Sequence, residues 1–160
     1  MTRKKLIRCG IGYDIHRLKK GRKLILGGIE IPSKKGLIGH SDADVLLHAI
    51  CDALLGAAAL GDIGMHFPNT NNEYKGISSL VLLSRVRKII AKAEIINIDA
   101  TIILEEPKIN SFVEMMKKKI SQTLDLPIER ISIKATTNEG LGPIGRCKGC
   151  AAIAIATISF

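Results

Sequence analysis

Tryptophan is absent from the chain, and aromatic residues make up only 3% of it. A protein that stacks bases on aromatic side chains would be poorly supplied, so nucleic acid is the weakest of the anionic partners suggested by a formal net charge of +9. The basic residues are also dispersed: Lys19-Lys20, Lys34-Lys35 and Lys117-Lys118-Lys119 occupy separate segments. Phosphates, a membrane surface or simply a solvated lysine-rich face remain as readings of that charge. Missing too is any apolar run of the roughly 18–20 residues that a membrane span requires. The longest low-polarity stretch, residues 149–160, falls far short of it. The basic start Met1-Thr2-Arg3-Lys4-Lys5-Leu6-Ile7-Arg8 leads into no long apolar segment, so no secretory signal is expected and the cytoplasm is the default location. No internal repeat or low-complexity linker divides the chain, which reads as one domain over residues 1–160 with 46% hydrophobic residues for a core.

Four cysteines are present, and Cys147-x-x-Cys150 resembles half of a zinc ribbon with no second pair to complete it. Without an export signal they are expected to be reduced and structural.

The hydrophobic pattern predicts a first strand over residues 6–15, broken by Gly10 and Gly12, and a hairpin over 23–31 turning at Gly27-Gly28. A loop over 32–39 precedes a helix from Ser41 to about Leu60, with Ser41 as N-cap, Asp44 as its capping-box partner and Gly61 as the stop. A polar loop follows over 62–75, then a helix over 78–93 and a strand over 96–104 stopped by Pro107. An amphipathic helix is predicted over 111–124 and a strand over 130–136, then a glycine-rich turn region over 138–149 and a final strand over 151–158. Both faces of that last strand are apolar, so both need cover, one from helices and the other from a second subunit. The order predicts an α/β (α+β) sandwich: one mixed four-stranded sheet with helices on one side, plus a small hairpin.

Asp14 and His16 lie two residues apart on the first strand and therefore share a face. On the following helix Asp44, His48 and Asp52 fall at i, i+4 and i+8, a polar stripe among Val, Leu, Ile and Ala. A buried stripe of this kind needs compensation, by a metal, a ligand-filled cleft or an internal hydrogen-bond network. Asp14, His16 and His48 together suit zinc, with a fourth coordination position left for water or substrate. Iron is chemically possible in the same set. His40 and Ser41 at the mouth of the helix could form an anion site, or be a loop histidine and a cap. His66 reads as structural or surface.

A second cluster covers residues 134–146. Thr136, Thr137 and Glu139 stand at a strand end, followed by Gly140, Gly142, Gly145 and Arg146. Glu139 could hold Mg²⁺ jointly with phosphate oxygens, and Arg146 could bind phosphate bidentately. Alone, the segment is a turn with charged residues.

Taken in order, Gly12-Tyr13-Asp14-Ile15-His16, Gly39-His40-Ser41-Asp42-Ala43-Asp44-Val45 with His48, Asp52-Ala53-Leu54-Leu55-Gly56, Leu60-Gly61-Asp62-Ile63-Gly64, Phe67-Pro68, Pro107-Lys108 and Lys134-Ala135-Thr136-Thr137-Asn138-Glu139 resemble the 2-C-methyl-D-erythritol 2,4-cyclodiphosphate synthases over essentially the whole chain. The resemblance implies an isoprenoid-pathway lyase. Such an enzyme closes 4-diphosphocytidyl-2-C-methyl-D-erythritol 2-phosphate into the cyclic diphosphate and releases CMP.

The same resemblance implies Zn²⁺ on Asp14, His16 and His48, and Mg²⁺ or Mn²⁺ on Glu139 with the substrate phosphates. His40 and Ser41 are implied for the 2-phosphate, with His40 and Thr137 as transition-state stabilisers. Asp62, Ile63, Gly64, Phe67, Pro68, Asn69, Thr70 and Asn71 correspond to the erythritol contacts and the adjoining loop. Leu104, Glu105, Glu106, Pro107, Lys108, Ile109 and Asn110 correspond to the cytidine pocket, with Ala135, Thr136 and Thr137, and Asn138 is implied among the substrate-binding residues. Pro143 and Arg146 fall where family members meet substrate or line the central channel of a homotrimer, whose active sites lie between subunits. Glu105 replaces a common glutamine, Asn69 a common aspartate, Gly140 a usual lysine and Pro143 an often aromatic residue. The competing readings are a mononuclear zinc hydrolase, for which no general base beside zinc-bound water is evident, and a non-enzymatic anion-binding module.

Overall fold

Gly10 and Gly12 do not interrupt the first strand. In the computed structural model, which describes residues 6–160, β1 runs unbroken from Ile7 to Lys20 through both glycines. Residues 1–5 of the basic start lie outside the described residues. Both glycines face α1 (Val45–Ala57). A Cβ on Gly10 would overlap the Ala53 carbonyl oxygen and the Ala57 nitrogen, and one on Gly12 the Ala49 carbonyl oxygen. The helix presents Ala49, Ala53 and Ala57 to them, all buried. Small residues on both partners therefore let helix backbone and strand backbone nearly touch, and the polar groups farther along each element are drawn together with them.

The remaining elements are β2 (Leu24–Leu26), β3 (Ile29–Ile31), β4 (Lys35–Leu37), α2 (Ile63–His66), α3 (Ser79–Ile89), β5 (Glu94–Ile103), α4 (Val113–Leu124), β6 (Ile131–Thr136), α5 (Gly142–Gly145) and β7 (Gly149–Ser159). The fold is α+β, as expected, but its mixed sheet has five strands rather than four, in the order β4-β1-β7-β5-β6. The fifth is β4, inside the segment predicted as loop. It pairs antiparallel with the far end of β1, Leu18 opposite Leu37, because β1 extends past Ile15. Only β5 and β6 run parallel; every other neighbouring pair in the sheet is antiparallel. The predicted hairpin forms as β2 and β3, turning at Gly27 and Gly28 with φ of 58° and 74°, values that glycine adopts without strain.

One face of the sheet carries the core. Cys150, Ala152, Ala154, Ala156 and Ile158 of β7 are fully buried in one cluster with α1, α3 and α4. On the other face Ile11, Tyr13, Ile15, Ile153 and Ile155 are exposed, Ile11 to 70%. Tyr13 pairs with Ile153 and Ile11 with Ile155, so these side chains form one contiguous apolar patch. Among the described residues no helix is long and apolar enough to cross a membrane.

The start of α1 differs from expectation. Asp44, not Ser41, is the N-cap, and its carboxylate accepts the Leu47 N–H at 3.1 Å. The same carboxylate reaches the hairpin turn, accepting the N–H of Gly27 at 3.0 Å and of Gly28 at 2.7 Å. Burial pushes the Asp44 carboxyl up to about 6, while the Gly28, Leu47 and Gly27 donors oppose that rise. Part of the polar stripe is thus satisfied by backbone groups. Asp44→Ala would leave two buried and one half-buried N–H group without their acceptor. It is expected to destabilise the fold by about 2 kcal/mol, read as a Tm lower by roughly 4–8 °C. The helix also ends at Ala57 rather than near Leu60. The predicted polar loop contains α2 and a 3-10 turn at Asn72–Tyr74, and the glycine-rich region contains α5.

Candidate active site

His48 projects from α1 toward β1, where the glycine contact has brought the two backbones together. Its Nδ1 lies 2.9 Å from Asp14 Oδ2, and His16 Nε2 lies 3.1 Å from the same oxygen. One ligand atom from each residue can be chosen so that all lie within 4.8 Å of one another. The two ring planes meet edge to face at 63°, so the three groups surround a point rather than stacking. Side-chain exposures of 24%, 22% and 14% for Asp14, His16 and His48 leave the point reachable from solvent.

The outer nitrogens explain why a cation belongs there. His16 Nδ1 is 2.8 Å from the Ile38 carbonyl oxygen, which can only accept, so this nitrogen carries the hydrogen and Nε2 is left with a lone pair. His48 Nε2 lies 3.1 Å from Ser41 Oγ and 3.0 Å from Ser79 Oγ. Lone pairs of His16 and a carboxylate oxygen then point at one another, an arrangement that requires positive charge between them. The donor atoms of a tetrahedral zinc stand about 3.3 Å apart, and the two pairs that include Asp14, at 3.1 and 2.9 Å, come within a few tenths of an ångström of that. Without a metal, protons fill the role. The hydrogen bond with Asp14 raises the His16 pKa, against the opposing effect of burial. Burial likewise works against ionised Asp14, but its hydrogen bonds from His16 and His48 outweigh this and hold the carboxyl far below the usual range.

A pH dependence follows. The raised His16 pKa means that the Asp14–His16 pair stabilises the metal-free chain fully below the ordinary histidine pKa of about 6.5. That contribution is lost as pH rises through the raised value. Zinc needs the neutral ring and must displace the proton, so its affinity moves the other way. Chelator competition is expected to show Zn²⁺ binding weakening about tenfold per pH unit below the His16 pKa, while the Tm of the metal-free protein falls as pH rises through that raised pKa.

The cleft beside the trio has a volume of about 400 Å³ and is lined by His40, Ser41, Ile63, Gly64, Phe67, Pro68, Asn69 and Thr70 together with the trio. These predicted residues are therefore brought together. Asp62 caps α2 through Met65 N, and Asn71 offers its carbonyl to His40 Nε2 at 3.3 Å. His40 and Ser41 sit in a loop rather than at the helix start, where Asp44 already takes a backbone donor. Asp52, the last member of the stripe, accepts the Ile63 N–H at 2.7 Å and ties down the far wall of the cleft. Burial raises the Asp52 pKa. Tyr74 and Leu82 also line the cleft, and Asp42 and Ser79 stand behind His48. No sequence signal singled out Ser79, Tyr74 or Leu82.

The second group assembles separately. Leu104, Pro107, Lys108, Ile109, Asn110, Ala135, Thr136 and Thr137 line a pocket of about 80 Å³ at the ends of β5 and β6. Glu105 accepts the Asn138 N–H, and Thr137 Oγ1 donates to Glu139 at 2.8 Å. Glu106 borders a neighbouring recess with Lys34, Lys35 and Cys147, while Pro143 borders one with His16 and Lys148. Arg146 and Glu139 are exposed. Ile15 pairs with Ala151, Ala151 with Ile103 and Ile103 with Thr136, so trio and pocket lie at the same end of the sheet. Two to three strand spacings separate them, about 10–14 Å in all.

A carboxylate and two imidazoles at the mouth of a cleft, on an α+β sheet, define the class: a candidate metalloenzyme. The YgbB family model matches residues 7–159, and the chain belongs to that family, the 2-C-methyl-D-erythritol 2,4-cyclodiphosphate synthases of isoprenoid biosynthesis. The synthase of that name from Alkaliphilus metalliredigens is 58% identical over 154 residues, covering 95% of this chain and 97% of the relative. Among solved structures, the Plasmodium falciparum IspF–CDP complex superposes with a TM-score of 0.84 at 36% identity over 95% of each chain. The bifunctional IspDF of Campylobacter jejuni reaches 0.94 at 40% identity, with 98% of this chain but only 43% of that protein covered.

Proposed function

We propose that the chain converts 4-diphosphocytidyl-2-C-methyl-D-erythritol 2-phosphate into 2-C-methyl-D-erythritol 2,4-cyclodiphosphate and CMP. The observation that carries the reading is the convergence of Asp14, His16 and His48 on one point at the mouth of a cleft. In the reaction an oxygen of the 2-phosphate attacks the β-phosphorus, the bond from that phosphorus to the bridging oxygen breaks, and CMP leaves with the electron pair. Asp14, His16 and His48 would hold Zn²⁺ and Glu139 would share Mg²⁺ or Mn²⁺ with the phosphates; these cations offset the repulsion between the two reacting anions.

The chain's own residues position the reactants. His40 and Ser41 meet the 2-phosphate from the cleft wall, and Ile63, Gly64, Phe67 and Pro68 enclose the erythritol carbons. Asn69, Thr70 and Asn71 form the adjoining loop. The pocket from Leu104 to Asn110 with Ala135, Thr136 and Thr137 takes cytidine, and Thr137 with His40 donates to charge developing on the phosphoryl oxygens. No side chain acts as a covalent nucleophile, and the cysteines take no part.

The same reading makes the protein a single catalytic domain that works as a cytoplasmic homotrimer, without nucleic-acid or membrane partners. The exposed patch of Ile11, Tyr13, Ile15, Ile153 and Ile155 supports a neighbouring copy on that face. The separation of trio and cytidine pocket within one chain supports active sites built between copies, where Pro143 and Arg146 also fall.

The test is product analysis. Metal-replete protein should release CMP and form the cyclic diphosphate, identified by mass spectrometry. Simple phosphoester hydrolysis without a cyclic product would favour a zinc hydrolase instead, and metal-independent, steeply salt-sensitive nucleic-acid binding would favour an anion-binding module.

A further inference from the structure

We propose that Asp42 and Ser79 form a relay that fixes which nitrogen of His48 faces the metal, making Ser79 a positioning residue; this rests on the zinc reading of Asp14, His16 and His48. The two imidazoles of the trio are held differently. His16 is set by a backbone carbonyl, that of Ile38, which no side-chain change can remove. His48 has no such partner: its Nε2 meets two hydroxyls, Ser41 Oγ at 3.1 Å and Ser79 Oγ at 3.0 Å. A hydroxyl donates or accepts, so alone it selects no tautomer.

Asp42 makes the selection. Its carboxylate accepts the Ser79 hydroxyl hydrogen and, at 2.8 Å, the Ser79 backbone N–H. With its one hydrogen committed to Asp42, Ser79 Oγ shows only lone pairs to His48. The ring must therefore donate from Nε2, and with the metal bound its Nδ1 lone pair is left for the cation beside Asp14 Oδ2. Ser41 cannot do this by itself. It accepts the Ala43 N–H at 3.2 Å, and its own hydrogen stays free to point at Nε2, which would support the wrong tautomer. Ser79 is wholly buried, so water cannot substitute for it. The relay is also pinned from both sides, by Gly76 N–H to the His40 carbonyl at 2.8 Å and Asp42 N–H to the Ile77 carbonyl at 3.1 Å.

The test titrates Zn²⁺ against a chelator of known affinity. Failure of wild-type protein to bind Zn²⁺, or undiminished binding by His16→Ala, removes the zinc reading itself and is distinct from failure of the relay. With wild-type binding established, Ser79→Ala is expected to weaken Zn²⁺ affinity about 10–100-fold while still melting cooperatively, and Ser79→Thr to recover most of the loss. Should Ser79→Ala not fold, Asp42→Asn carries the test. Its amide can turn an N–H toward Ser79 and release the hydroxyl hydrogen, and a loss of about tenfold is expected. In zinc-loaded wild-type protein, ¹⁵N spectra should show His48 bound through Nδ1 with a slowly exchanging Nε2–H. Wild-type affinity in either folded variant, or zinc bound through His48 Nε2, overturns the relay.

Discussion

Asp14→Asn is expected to lower kcat/KM for CMP release by about 10³-fold, as the charge neutralisation a bound metal supplies is worth several kcal/mol. Asp14 Oδ2 is the one atom that both His16 Nε2 and His48 Nδ1 approach, at 3.1 and 2.9 Å. Asparagine keeps the shape but removes the charge. Its amide also offers the imidazoles an N–H where they need an acceptor or a cation. Two effects should therefore appear together: zinc no longer co-purifies at one ion per chain, and cyclisation fails at saturating substrate as well as below it. A variant with full zinc content and a changed KM alone would place Asp14 in substrate binding instead. Far-UV circular dichroism separates both outcomes from misfolding, since Asp14 is partly exposed and contributes little to the core.

The trio was legible because local periodicity settles it. Asp14 and His16 share a strand face by the two-residue repeat, and His48 stands out with Asp52 on a helix that is otherwise apolar. The partners of His48 were not legible. Ser79 lies 31 residues away and reads as an ordinary helix start next to the N-cap Ser78, and only the tertiary fold sets it against Asp42. The three residues of β4 include Gly36 and show no alternation, so the strand exists only because β1 extends to meet it. Sheet order was beyond reach as well. The segments carrying the trio and the second pocket stand out in the chain, but the placing of β7 and β5 between β1 and β6 follows from long-range pairing.

Gly10 and Gly12 show the same limit from the opposite side, and they supply a sharp test. Read locally, a glycine weakens a strand. Here the missing side chain is the space that α1 occupies, so Gly12→Val should do the reverse of what strand propensity predicts. The new Cβ overlaps the Ala49 carbonyl, a backbone atom in mid-helix that cannot rotate away. The helix must lift from β1, at a cost of about 3 kcal/mol or more, seen as a Tm lower by roughly 6–12 °C. His48 rises with the helix and Asp14 stays on the strand, so zinc binding should be lost together with the stability. Gly56, in the same helix, is the control: a Cβ there meets nothing nearer than 3.9 Å. Gly56→Ala should raise stability by about 0.5–1 kcal/mol and leave zinc affinity unchanged. Opposite signs from a strand glycine and a helix glycine, measured by thermal denaturation with and without Zn²⁺, would attribute the site to the close approach of α1 and β1. Equal small effects would mean that the trio is held by its own hydrogen bonds.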